Sequence, residues 1–198
     1  MDYTIFLYSY GNLIMIRKTK FRNITIINNL ITPQDIAKLR VYIDYSPLQT
    51  EENNPNKFIN VQDNECNAIL SKAQQLLKSN IEEDFGTSVS DEGIGTVVKF
   101  AIGWELPYHC DQWSDLPTYG GAPKRDISSI IYLSDDFEGG ELFFPDLDVF
   151  IQPTAGSAIY FTGTEEYMHQ VTPLLSGTRL TCTGFWGNLS EYDNVSIP

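Results

Sequence analysis

The sequence predicts a mainly β chain of the α+β kind: a jelly-roll-type sandwich preceded by two helices that flank it. Three observations carry this. From Thr96 to Trp186, short runs rich in β-branched and aromatic residues alternate with Gly, Pro and Asp turns. About eight such runs in ~90 residues is the pattern of a double-sheet jelly roll. Ahead of Thr96, two stretches instead place apolar residues at helical spacing.

Taken in order, Met1 to Ile16 is apolar but broken by Ser9, Tyr10, Gly11 and Asn12. It lacks a basic start and carries Asp2. It reads as an edge strand or a hairpin turning at Gly11-Asn12, not as a signal peptide or a membrane span. Met15 offers an alternative start, which makes the preceding residues an extension with no role in a site. Ile24 to Leu30 reads as a strand. Thr32-Pro33-Gln34-Asp35 is a helix start, with Thr as N-cap, Pro at the first helical position and Asp in the first turn. That helix runs to about Tyr42 with Ile36 and Leu39 among its apolar positions. Residues 44 to 60 are polar, contain Pro47 and Pro55, and read as an exposed loop. Asn64 to Asn80 is a second helix through Ile69, Ala73, Leu76 and Leu77. Gly86 to Gly95 reads as a polar connector. The candidate strands that follow are Thr96 to Trp104, Tyr108 to Asp111, Ile127 to Leu133, Glu141 to Phe144, Val149 to Gln152, Ser157 to Phe161, Glu166 to Val171 and Thr178 to Trp186. Gly139-Gly140 and Gly156 mark turns that need unusual backbone angles. With 198 residues and no linker, the chain reads as one domain. Residues 1–20 form the extension or edge strand, 21–95 a helical support region and 96–188 the β core.

The formal charge of −13 repels phosphate backbones and anionic lipid, so neither nucleic acid nor a membrane is expected as a partner. Three cysteines, Cys66, Cys110 and Cys182, lack framework or zinc spacing. They read as thiols in a reducing, cytoplasmic setting.

The chain has two histidines, His109 and His169. In an extended strand residues i and i+2 share a face, so His109 and Asp111 aim at one point while Cys110 aims away. An imidazole from His169 added there gives two nitrogens and one oxygen on one face of a metal. That 2-His-1-carboxylate set leaves the opposite positions open and suits non-haem Fe(II). Ten residues past His169 stands Arg179, returned by a turn at Pro173 and Ser176-Gly177. It begins an otherwise uncharged strand, LTCTGFW, where an unpaired charge is costly. A guanidinium there suits a bidentate grip on a carboxylate. Gln112 to Arg125 (QWSDLPTYGGAPKR) has two aromatics, Trp113 and Tyr119, and Gly120-Gly121. It reads as a possible substrate loop, a lid whose base is fixed beside Asp111.

Residues 127 to 187 resemble the Fe(II)- and 2-oxoglutarate-dependent dioxygenases, most of all the prolyl 4-hydroxylase branch. The matching stretches are IIYLSDDFEGGELFFP, IQPTAGSAIYF and HQVTPLLSGTRLTCTGFW, with FAIGWELPYHCD upstream and ITIINNLITPQDIAKL as the opening strand and helix. The resemblance implies a double-stranded β-helix. It implies His109, Asp111 and His169 as iron ligands, with Arg179 and the Tyr132 hydroxyl on the distal carboxylate of 2-oxoglutarate. It further implies Fe(2+), O2 and 2-oxoglutarate as the reacting set and ascorbate as a reductant. The implied activity is hydroxylation of peptidyl proline, with free proline or another small molecule as the alternative substrate and a non-catalytic metal-binding protein as the alternative of another class. A nucleobase-repair oxygenase needs a second Arg where Phe185 stands, and a halogenase lacks the carboxylate that Asp111 supplies. Two positions depart from the branch. Phe100 stands where a tyrosine is usual, and Trp186 comes one residue late. Strand parity from Arg179 places Thr181, Thr183 and Phe185 on one face, which makes Phe185 the pocket residue.

Overall fold

The computed structural model describes residues 3–9, 12–18, 23–112 and 125–188. Fifteen strands and two helices run through them in this order: β1 Tyr3–Ser9, β2 Asn12–Lys18, β3 Ile24–Asn28, α1 Pro33–Tyr45, β4 Gln49–Glu51, β5 Asn54–Asn60, α2 Asn64–Phe85, β6 Val89–Lys99, β7 Leu106–His109, β8 Ile127–Tyr132, β9 Phe137–Gly139, β10 Leu142–Phe144, β11 Val149–Ile151, β12 Ala158–Thr162, β13 His169–Val171, β14 Leu174–Gly177 and β15 Leu180–Asn188. The paired strands are antiparallel throughout. The major sheet has the order β1-β2-β3-β12-β8-β15-β6-β5-β4, the minor sheet β11-β10-β13-β7, and β14 pairs with β9. This is the jelly-roll architecture of a double-stranded β-helix, with the helices on its flank.

Two apolar layers sandwich the major sheet. On one face, Ile36, Leu39 and Ile43 of α1 and Leu70, Ala73, Leu77 and Ile81 of α2 cover Ile27, Val97, Ile131, Cys182 and Trp186. On the other, Ile130 and Tyr132 of β8 and Ile159 and Phe161 of β12 meet Leu142, Phe144, Ile151 and Val171 of the minor sheet. β8 lies in the middle and is buried along its whole length. Its alternate residues therefore divide between the two cores, as strand geometry demands. No helix among the described residues is long and apolar enough to cross a membrane.

Helix starts follow their local chemistry. The Thr32 side chain accepts from the Asp35 amide at 3.1 Å, and Asp63 does the same for Cys66 at 2.9 Å. α2 continues to Phe85, beyond the expected end at Asn80, because Ile81 and Phe85 prolong its apolar face. It stops at Gly86 in the left-handed conformation, φ 65°. The N-terminal stretch forms a hairpin, as expected, but Asn12 belongs to β2 opposite Ser9 rather than to the turn, and the sheet continues through β2 and β3.

Several expectations need correction. The expected loop at 44–60 contains the hairpin β4–β5, turned at Asn53 with φ 63°. Its largely polar composition hides it: of the two buried positions of β5, Ile59 joins the helix-side core and Asn56 accepts from the Ala101 amide at 2.9 Å. The expected connector Gly86 to Gly95 is largely β6, an eleven-residue strand held between β5 and β15. β7 ends at His109 rather than Asp111, and β13 begins at His169 rather than Glu166. β9 and β14 were not expected; Gly139, φ 70°, lies so close to the Pro173 carbonyl that a Cβ there sits 2.1 Å from it.

Candidate metal centre and adjoining pocket

β7 and β13 are neighbours in the minor sheet, and their register sets His169 directly across from His109. The two imidazole centroids are 4.4 Å apart. Asp111 lies past the end of β7, so strand alternation does not aim it. The chain bends after Cys110, and the carboxylate is brought round to the imidazoles, with Asp111 Oδ1 3.6 Å from His109 Nε2 and Oδ2 3.5 Å from His169 Nε2. One ligand atom from each of the three residues lies within 4.8 Å of the others. That convergence is the sequence expectation realised by a different local geometry.

The imidazoles are pre-set for a metal. His109 Nδ1 faces the Pro107 carbonyl at 2.7 Å, and His169 Nδ1 faces the Tyr167 carbonyl at 3.1 Å. A carbonyl only accepts, so each Nδ1 carries the proton and each Nε2 lone pair points at the shared centre. Burial works against charge on His109, but the adjacent Asp111 outweighs it and raises its pKa. Burial lowers that of His169. Burial likewise pushes the Asp111 carboxyl up, yet His169, His109 and the Ser128 hydroxyl together bring it down to about 2. An ionised carboxylate beside two imidazole lone pairs is a donor set for a divalent transition metal such as Fe(II).

A cavity of about 80 Å³ runs from Asp111 and His169 to Arg179. Arg179 is 1% exposed and immediately precedes β15. Its Nε donates to the Gly140 carbonyl at 2.9 Å. Gly140 has to be glycine-like in size, since a Cβ there lies 2.9 Å from Arg179 Cδ. The guanidinium lies over the Phe100 ring at 4.1 Å and 5.6 Å from the Tyr132 ring centroid. Among the described residues, Arg179 Nη2 and the Tyr132 hydroxyl are both buried and make no hydrogen bond of good geometry. Burial lowers the Arg179 pKa, only partly countered by Tyr132. Arg179, a buried cation whose Nη2 is unpaired among the described residues, at one end of the cavity and the metal donors Asp111 and His169 at the other fit a small dicarboxylate that reaches between them. Thr181, Thr183 and Phe185 line this cavity as parity predicts, while Trp186 turns to the helix-side core and donates to Ser129 Oγ at 2.9 Å.

Next to it opens a cleft of about 250 Å³, walled by Asn56 and Phe58 of β5, Trp104, Arg125 and Phe185. Cys110, expected to aim away, is among its lining residues. The Arg125 guanidinium lies over the Phe185 ring at 3.9 Å, and its Nε has no hydrogen-bond partner among the described residues. Trp113 and Tyr119 lie outside the described residues. Sequence reasoning missed Arg125, Gly140 and Ser128. For Ser128 a signal existed: two hydroxyls inside the buried strand ISSIIY.

Residues 96–187 match the model of the 2OG-Fe(II) oxygenase superfamily, a stretch that holds His109, Asp111, Tyr132, His169 and Arg179. The matched segment, a little under half of the chain, is similar to that superfamily, and the fold is similar to that of solved prolyl hydroxylases. A PKHD-type hydroxylase of Azoarcus sp. is 35% identical over 82 residues, which is 39% of this chain and 35% of the relative. Prolyl 3-hydroxylase 2 of Homo sapiens is 36% identical over 72 residues, 34% of this chain and 10% of the relative. The matches thus span about a third of the first relative and a tenth of the second. Among solved structures, the viral collagen prolyl hydroxylase of Paramecium bursaria Chlorella virus-1, in its 2OG complex, is similar with a TM-score of 0.64 and 18% identity, over 84% of this chain and 96% of that one.

Proposed function

We propose that this protein is an Fe(II)- and 2-oxoglutarate-dependent dioxygenase that hydroxylates prolyl residues in a peptide. The observation that carries the reading is one small cavity that joins Asp111 and His169 of the His109–Asp111–His169 cluster to the buried guanidinium of Arg179, with the Tyr132 ring 5.6 Å from that guanidinium. Iron bound by the cluster supplies the chemistry: oxidative decarboxylation of 2-oxoglutarate to succinate, coupled to insertion of one oxygen atom of O2 into a C–H bond. The chain's own residues bind and orient. Arg179 and Tyr132 take the distal carboxylate, and Phe100, Thr183 and Phe185 form the walls between co-substrate and cleft. Arg125, held over the Phe185 ring with its Nε–H unpaired among the described residues, offers a donor to a peptide carbonyl. Two of the similar proteins are prolyl hydroxylases by name, which supports proline as the substrate residue; C4 is the position implied by the sequence resemblance, while the human relative is named a prolyl 3-hydroxylase. The lid reading of Gln112 to Arg125, with Trp113 and Tyr119 as contacts, rests on its composition and on its two fixed ends beside the cluster. The buried thiols Cys66, Cys110 and Cys182 support a reducing, cytoplasmic setting.

The test is turnover with Fe(II), 2-oxoglutarate and ascorbate against a panel of proline-containing peptides and free proline. Succinate release together with a gain of one oxygen on a peptide is expected. Oxygen gained only by free proline refutes the peptide assignment, and no 2-oxoglutarate-dependent product from any substrate refutes the oxygenase reading.

A further inference from the structure

We propose that Ser128 is a positioning residue for Asp111, fixing the rotation of the carboxylate that the metal cluster depends on. The inference rests on the metal reading of His109, Asp111 and His169. Ser128 Oγ donates to Asp111 Oδ2 at 2.6 Å, the shortest link between the major sheet and that carboxylate. Asp111 needs such a link. It follows β7 rather than belonging to it, so no ladder hydrogen bond orients it. A carboxylate on a bend turns freely about Cβ–Cγ unless an oxygen is held. Ser128 holds Oδ2, while Oδ1 faces His109 Nε2 at 3.6 Å.

Ser128 is 1% exposed on a strand otherwise built for two apolar cores, and Asp111 is its hydrogen-bond partner among the described residues. Packing alone is served there by a methyl group, and a buried hydroxyl costs free energy unless bonded. Its neighbour Ser129 shows the contrast. Ser129 points to the opposite core, where it donates to the Gly184 carbonyl at 3.3 Å and accepts from Trp186.

The surrounding backbone fixes the distance between Ser128 and Asp111. Gln112 N donates to the Gly163 carbonyl at 2.9 Å, and Gly163 N to the Asp126 carbonyl at 2.8 Å. The Gln112 side chain also reaches Asp126 Oδ1 at 2.6 Å. The end of β7, the start of β8 and the end of β12 are thereby tied at one crossing. Gly163 makes that crossing possible, because a Cβ on it comes 2.2 Å from the Arg125 carbonyl and 3.4 Å from Ser128 Oγ. Outer hydrogen bonds to metal-binding carboxylates commonly tune affinity about 10- to 100-fold.

The experiment titrates metal-free protein with Mn(II), following free Mn(II) by electron paramagnetic resonance, with no turnover required. Ser128→Ala is expected to weaken Mn(II) binding about 10- to 100-fold while its melting temperature stays near the parent's. Ser128→Thr, which keeps the hydroxyl, is expected to bind near the parental level. Ser129→Ala is expected to lower thermal stability without moving Mn(II) affinity. Parental affinity in Ser128→Ala overturns the proposal, and so does an equal loss in a folded Ser128→Thr, which assigns the effect to packing. Asp111→Ala separates the two readings. If it loses Mn(II) while Ser128→Ala does not, only the positioning role fails; if it binds as the parent does, the metal reading fails and the proposal with it.

Discussion

Replacing Arg179 by methionine is expected to leave folding nearly untouched and to remove the response to 2-oxoglutarate. Without a bound anion, the guanidinium is a buried cation that no carboxylate contacts among the described residues. Keeping such a charge out of water costs several kcal/mol. Against that stand its hydrogen bond to Gly140, worth about 1.5–3 kcal/mol, and its stacking on Phe100, worth about 2 kcal/mol when desolvated. The terms offset, and methionine fills similar space, so the melting temperature without co-substrate changes little. Binding is another matter. Truncating one partner of a buried charge pair costs about 2–5 kcal/mol, or roughly 30- to several-thousand-fold in Kd. At a concentration of 100 times the parental Kd, 2-oxoglutarate stabilises the parent by about 2.7 kcal/mol, roughly 5–11 °C for a domain of this size. With Kd raised 30-fold, the same concentration gives about 0.9 kcal/mol or less, roughly 2–4 °C. The assay is a thermal melt of Mn(II)-loaded protein with and without 2-oxoglutarate. An unchanged ligand-induced rise refutes the carboxylate assignment. A collapse of stability in the ligand-free variant shows instead that Arg179 is a structural tie between the β9–β10 turn and β15.

Other outcomes follow from single observations. Tyr132→Phe removes a buried hydroxyl that makes no hydrogen bond of good geometry among the described residues, so ligand-free stability should hold or rise while the Kd for 2-oxoglutarate rises by about tenfold, near 1.4 kcal/mol; equal Kd values in a calorimetric titration count against it. Gly163→Ala forces the Arg125 carbonyl away from a Cβ at 2.2 Å and should cost about 1–3 kcal/mol in urea unfolding, with weakened Mn(II) binding because the crossing beside Ser128 opens. Burial pushes the Cys66 thiol up to about 11, so at pH 8 the native protein should resist iodoacetamide at this position and react only when unfolded; fast native labelling of Cys66 by peptide mass mapping contradicts the packing of α2 on the sheet.

Much of this was legible in the residue order because apolar periodicity and turn chemistry are local. α1, α2 and the strands around Ile127, Ser157 and Leu180 followed from spacing and caps alone. What escaped was set by partners distant in sequence. β4 and the largely polar β5 take their place from pairing, β5 with β6 and β4 with β5, and the buried Asn56 accepts from the Ala101 amide. Asp111 shows the same limit at the site. Alternation along an extended strand gave the right three residues for a reason that the structure does not bear out, since the strand ends at His109. What aims Asp111 is a contact to β8, which lies 17 residues further along the chain, past a segment whose length no periodicity could measure. The serine that makes this contact stands out only as a polar residue where an apolar one packs equally well. Residue types at a metal centre are thus readable from the donors that the metal demands, while their aim is set by surrounding groups that the fold brings together.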